Sequence, residues 1–199
     1  DKAIHIERVM CNEVGGIQDQ ISSAFGGLNL IEFSKCGYKV HPVELSKGRK
    51  GLLESSLMLF YTKIQRTSSD IQKKIKTPSK INQNLLALKR LALEGFNCLT
   101  NETQTLDDFG LILNEAWKVK KGLSDAISTS FIDQCYIKGI EAGALGGKVL
   151  GAGGGGFLLF YVPMLHQESV RKALSDLIEI KFGFEDQGSQ ILLNFKDEA

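Results

Sequence analysis

Apolar residues recur at helical spacing from the start of the chain. Ile6, Val9 and Met10 share one face of a segment over 2–13, Val14 extends it, and Gly15-Gly16 ends it. Ile17, Ile21, Ala24 and Phe25 repeat at i, i+4, i+7 and i+8, which predicts a short amphipathic helix closed by Gly26-Gly27. The period then changes. Residues 28–33 and 38–45 read as strands around a turn at Lys35-Cys36-Gly37, and 55–62 reads as a buried strand. Helices follow in series: 67–76 before Pro78, 79–98 carrying Leu85, Leu88, Leu91 and Ala92, and 105–121. Gly122 stops the third of these after Lys118, Lys120 and Lys121, charges that suit a helix C-terminus. A fourth helix is predicted over 124–143 with Ser124 as its N-cap. The apolar run 157–162 predicts a strand broken by Pro163, followed by a helix over 165–180 and a last strand near 190–195.

Strand, long helical stretch, strand–loop–strand, helix and strand make an α+β pattern, similar to a split βαβ, ferredoxin-like sheet with inserted helices. Residues 1–48 read as the tail of a different domain and 49–199 as a second one, with the junction at Ser46-Lys47-Gly48-Arg49-Lys50-Gly51. Asp1 is not methionine and the first residues already look helical, so the chain is expected to begin inside something larger.

Composition narrows the function classes. The 199 residues are 43% hydrophobic, enough for one or two ordinary cores. A net charge of +1, from 24 basic and 23 acidic residues without a basic tract, argues against nucleic acid as the main partner. The apolar runs are too short to span a bilayer, so no membrane partner is expected. Cys11, Cys36, Cys98 and Cys135 lack CxxC pairing and read as unpaired core thiols of a reducing, cytoplasmic protein. Asn101-Glu102-Thr103 matches a glycosylation sequon but reads as helix-start chemistry.

The stretch 146–157 carries the strongest chemical signal. Seven of its twelve residues are glycine, a density that calls for positive φ or close backbone approach. Backbone amides beside Lys148 suit an anion such as a phosphate; a glycine-rich hairpin that brings two strands together explains the same residues. Gly151-x-Gly153-x-x-Gly156 also fits the dinucleotide fingerprint, with Asp176 twenty residues on. That fingerprint needs a strand before it and a helix after it, and here a strand follows. A P-loop fails as well, because no Gly-Lys-Ser/Thr closes the stretch.

A second candidate site is Gly15-Gly16-Ile17-Gln18-Asp19-Gln20. Asp19 stands one turn into a helix, where the dipole stabilises its anion, although charging a helix start would also explain it. Glu7, twelve residues earlier, could face the same cleft or serve as a solvated carboxylate. Taken in order, five blocks resemble the GHMP kinase superfamily. They are Ile4-His5-Ile6-Glu7-Arg8, Gly16-Ile17-Gln18-Asp19-Gln20, Phe25-Gly26-Gly27-Leu28-Asn29, Phe60-Tyr61-Thr62 with Arg66, and the glycine stretch. The likeness spans most of 4–163 and is strongest to the sugar-kinase branch, the heptose 7-phosphate kinases in particular.

The resemblance implies a ferredoxin-like C-terminal domain and the tail of a ribosomal-S5-like N-terminal domain. It implies ATP and Mg2+ as cofactors and a small sugar phosphate as partner, phosphorylated at its anomeric hydroxyl. Asp19 takes the place of the family's base or orienting carboxylate, and Glu7 that of its magnesium ligand. Gly151, Ala152, Gly153, Gly154, Gly155 and Gly156 match the motif lining the cleft, while Gln18, Arg66 and Lys148 become substrate contacts. One departure stands out: no Gly-Leu-Gly-Ser-Ser-type ATP loop occurs in the sequence. The resemblance therefore implies a missing N-terminal domain and an inactive isolated chain with an open apolar face on the 2–14 helix; a homo-oligomer stays open. The alternative is a non-catalytic ligand-binding module of the same fold, against which the presence of both Glu7 and Asp19 argues.

Overall fold

The computed structural model describes residues 1–13, 15–64, 78–151, 153–190 and 192. The predicted helix 67–76 and most of the predicted strand 190–195 lie outside them, as do Val14, Arg66 and Ala152. The chain divides into two compact units, 1–43 with 184–199, and 44–183.

The first unit opens with helix α1 (Lys2–His5) and a π-helical turn, Ile6–Met10, rather than one helix to residue 13. Ile6, Val9 and Met10, the predicted apolar face, are exposed. Helix α2 (Gln18–Phe25) buries Ile21 and ends at Gly26, whose φ of +66° stops the helix. Strands β1 (Asn29–Ser34) and β2 (Gly37–Pro42) form the predicted hairpin, pairing Ile31 with Val40 and Phe33 with Tyr38 on one face. The segment after residue 183 returns to this unit: the Gly27 amide donates to the Glu185 carbonyl at 2.7 Å, and that of Ser189 to Ser23 at 3.1 Å.

The second unit opens on helix α3 (Lys47–Ser56), which occupies the predicted junction. Ser46 caps it by accepting from the Arg49 amide at 3.3 Å, and this cap outweighs the two glycines that made the segment read as a linker. Residues 55–56 are thus helical, and strand β3 is Leu57–Tyr61. Helices α4 (Pro78–Thr100) and α5 (Leu106–Lys121) follow, then α6 (Ser130–Glu141). The last starts six residues later than predicted. Ser124 closes a local turn on the Ala126 amide, whereas Thr129 accepts from Ile132 and makes the true cap.

Strands β4 (Gly146–Val149) and β5 (Phe157–Tyr161) form an antiparallel hairpin, so the first part of the glycine stretch is strand. Helix α7 (Gln167–Ala173) follows a 3-10 turn at Met164–His166, and β6 (Ile178–Ile180) replaces the second half of the predicted 165–180 helix. Ile178-Glu179-Ile180 has period two, and pairing with the free edge of β3 decides it. The sheet order β4-β5-β3-β6, with antiparallel neighbours throughout, is the split βαβ arrangement expected from the sequence.

Met58, Phe60, Val149, Leu158 and Phe160 point to one face of this sheet. They pack with Ile132, Cys135 and Tyr136 of α6, Val170 of α7 and Trp117 of α5. Each fully buried phenylalanine there contributes about 2–3 kcal/mol from area alone. Two thiols do not lie in a core: Cys11 and Cys36 sit in turns and are exposed, while Cys98 and Cys135 are buried. No helix among the described residues is long and apolar enough to cross a membrane.

Candidate functional site

Glu7 belongs to the π-helical turn and Asp19 to the first turn of α2. The chain between them is held by Arg8. Its guanidinium donates to the Glu13 carbonyl at 2.8 Å and to the Gly16 carbonyl, pinning the loop that leads into α2. Gln20, one residue after Asp19, reaches back so that its Nε2 donates to the Glu7 carboxylate. The two carboxylates differ in environment. Glu7 is half-buried, tied to Gln20 and 3.9 Å from the Arg8 guanidinium. Asp19 is exposed and makes no side-chain hydrogen bond or ion pair among the described residues. Gln18 is exposed beside it. One carboxylate is held and one is open, and the open one sits where the helix dipole favours its charge.

In the second unit, Lys148 lies on β4 opposite Leu159, just ahead of the loop joining β4 to β5. The loop is anchored from three sides. Lys120, at the end of α5, donates to the Gly151 carbonyl at 3.0 Å. The Gly154 amide donates to the Ile127 carbonyl and the Gly156 amide to the Ile64 carbonyl, both at 2.8 Å. The Thr62 hydroxyl closes the bracket on the Gly156 carbonyl at 2.8 Å. Two of the loop amides are therefore spent on the protein, which leaves those of Gly153 and Gly155 without a partner among the described residues. A Cβ at Gly153 would come within 2.6 Å of the Ile127 carbonyl oxygen, at a φ of +108° that side chains rarely adopt. Close packing inside the protein thus explains part of the glycine content.

Among the described residues, no three His, Cys, Asp or Glu side chains gather to hold a metal. Glu7 fits a hard cation that takes its other ligands from water and phosphates, as Mg2+ does. Beside it, the Gln20 Oε1 atom is buried and has no hydrogen-bond partner among the described residues, an orphaned acceptor next to a carboxylate.

No family model matches the chain. A curated relative, the D-glycero-alpha-D-manno-heptose 7-phosphate kinase of Campylobacter jejuni, is 32% identical over 176 residues, covering 86% of this chain and 51% of the relative. Two solved structures share the fold at 29% identity. A D-glycero-D-manno-heptose 1-phosphate kinase from Bacteriodes thetaiotaomicron has a TM-score of 0.68, with 94% of this chain and 51% of that one covered. A sugar kinase structure from Campylobacter jejuni has a TM-score of 0.70, with 94% and 54% covered. Over most of its length the chain is similar to sugar kinases of the GHMP superfamily. It spans about half the length of the relatives it matches.

Sequence reasoning singled out Glu7 and Asp19 as candidates but missed the groups that hold the segments around them. Gln20 was visible only as a motif letter, since its contact with Glu7 spans thirteen residues. Arg8 stood only inside a motif block, and Lys120 only in the basic set at a helix C-terminus.

Proposed function

We propose that this chain is part of an ATP-dependent sugar kinase. The intact enzyme moves the γ-phosphoryl group of ATP to the anomeric hydroxyl of D-glycero-D-manno-heptose 7-phosphate or a related sugar. The observation that carries the reading is the division of labour in the first unit, an open Asp19 on the helix whose Gln20 tethers Glu7. The 32% identity to a heptose 7-phosphate kinase supports the choice of acceptor.

In this reading the exposed Asp19 carboxylate accepts the hydrogen bond of the acceptor hydroxyl and takes its proton as the sugar oxygen bonds to the γ-phosphorus. The bond from that phosphorus to the bridging oxygen breaks, and ADP leaves with the electron pair. Phosphoryl transfer depends mainly on positioning and charge neutralisation, so a carboxylate that orients the hydroxyl contributes even before the proton moves. Glu7 is the residue that would hold Mg2+, which would supply neutralising charge there. The glycine loop of the second unit is assigned to phosphate contacts, and its Gly153 and Gly155 amides have no partner among the described residues. Gln18, Lys148 and Arg66 are assigned to the sugar phosphate; a guanidinium grips such a group with two parallel hydrogen bonds and an ammonium with a point charge.

The test is ADP release by the full-length protein with a panel of sugar phosphates. Asp19→Asn is expected to lower kcat by about 10^2–10^4 while leaving KM nearly unchanged. Phosphorylation of no sugar in the panel, or an Asp19→Asn rate within about threefold of wild type, would sink the assignment.

A further inference from the structure

The amide of Gln20 has only one sensible orientation. Its Nε2 faces a Glu7 carboxylate oxygen, and reversing the amide would set a carbonyl oxygen against that negative charge. The orientation leaves Oε1 buried without a partner among the described residues. Folding gains little from such an arrangement, because a buried acceptor that loses water and finds no donor is destabilising. The half-exposed Glu7 carboxylate could have been solvated instead, and a methionine would fill the same space without an orphan. The contact also joins two elements, the π-helical turn and α2, and so ties the position of Glu7 to the helix that carries Asp19.

We propose that Gln20 is a positioning residue for divalent-cation binding, fixing the rotamer of Glu7 so that its carboxylate meets the ion in one geometry relative to Asp19. The inference rests on the kinase reading of Glu7. Its physical content is that outer hydrogen bonds to a metal-ligating carboxylate govern how well that ligand is aimed. Gln20 touches neither the sugar nor the phosphates in this account. It acts through Glu7 alone.

The experiment uses the full-length protein and Mn(II) as the probe, titrated in the presence of AMPPNP and followed by the loss of the free-ion spin-resonance signal. Gln20→Met removes the donor at nearly constant volume, Gln20→Ala guards against a misfitting methionine, and Glu7→Gln removes the ligand itself. Gln20→Met is expected to weaken Mn(II) binding about tenfold, and to raise the Mg2+ concentration for half-maximal rate to the same extent. The melting temperature should stay level or rise, because the orphaned acceptor is gone, and kcat at saturating Mg2+ should recover to within about twofold. A purely structural Gln20 would lower the melting temperature and leave metal affinity alone. If both Gln20 variants bind Mn(II) within about twofold of wild type while Glu7→Gln loses it, the proposal is overturned and the kinase reading stands. If Glu7→Gln also binds normally, the metal role of Glu7 fails, and the proposal fails with it.

Discussion

The hydroxyl of Tyr136 donates to Asn114 Oδ1 at 2.9 Å inside the sheet–helix core, and that of Tyr161 donates to Asp107 Oδ1 at 3.1 Å. Burial pushes both phenols up to about 12, with the Asp107 carboxylate adding to the effect at Tyr161. The sign of the consequence is fixed. A phenol that stays protonated in the folded state when the unfolded one has ionised stabilises the fold below pH 10, and that stability is lost as pH rises from 10 to 12. Each tyrosine should contribute on the order of 1 kcal/mol over this window. Urea unfolding of the wild type is therefore expected to be flat from neutrality to about pH 9.5 and to weaken steeply above it. Tyr136→Phe should start less stable, through loss of the bond to Asn114, and show a shallower alkaline decline. A decline as steep as that of wild type would show that the buried phenol is not its source. Neither tyrosine takes part in the proposed chemistry, so the alkaline change belongs to the scaffold.

Helix α5 holds one end of the glycine loop through Lys120, and it packs closely on β4. A Cβ at Gly146 would lie 2.0 Å from the Gly110 carbonyl oxygen and 2.6 Å from the Asn114 amide nitrogen, both backbone groups that cannot swing aside. Gly146→Ala should force α5 off the sheet and destabilise the second unit by more than about 3 kcal/mol. Gly151→Ala meets nothing within 4 Å and suffers only from its φ of +73°, for a loss of about 1 kcal/mol. Denaturant unfolding of the two variants separates these mechanisms, and equal losses would refute the close-approach argument. Such contacts mark the limit of what the sequence discloses. The period-two and period-3.6 patterns identified β1, β2, β5, α2, α4 and α5, because each buries a face that repeats along the chain. They missed α3, where Arg49 crosses to the Cys98 and Leu99 carbonyls at 2.6 and 2.7 Å; a buried cation in a glycine-rich segment has no periodic signature. They missed β6 because three residues cannot establish a period. Glu7 and Asp19 became candidates through the resemblance of their blocks to the GHMP kinases, since each alone reads as an ordinary helix carboxylate, whereas Gln20, Lys120 and Thr62 make contacts that only folding creates.

At the scale of the whole chain, the inventory of charge partners decides what these residues can do unaided. They supply an open carboxylate at Asp19, a tethered one at Glu7, and a glycine loop whose Gly154 and Gly156 amides are already engaged. A nucleoside triphosphate brings several negative charges, and its binding needs a set of converging donors; the sequence contains no Gly-Leu-Gly-Ser-Ser-type loop to provide them. Ile6, Val9, Met10 and Phe33 of the first unit are exposed as well, apolar surface of the kind that marks a contact with further protein. The matched region is about half of the curated relative's length. The 199-residue polypeptide by itself is therefore expected to release ADP at least about a thousandfold more slowly than the full-length protein, since positioning of both substrates accounts for a comparable share of catalysis. Parallel assays at equal protein concentration, with the melting curve of the short form as a check on folding, decide the matter. Turnover by the short form that Asp19→Asn abolishes would mean that nucleotide binding is already complete within these residues. The phosphate donors would then have to be found among them, with the amides of Gly153 and Gly155, which have no partner among the described residues, the first to examine.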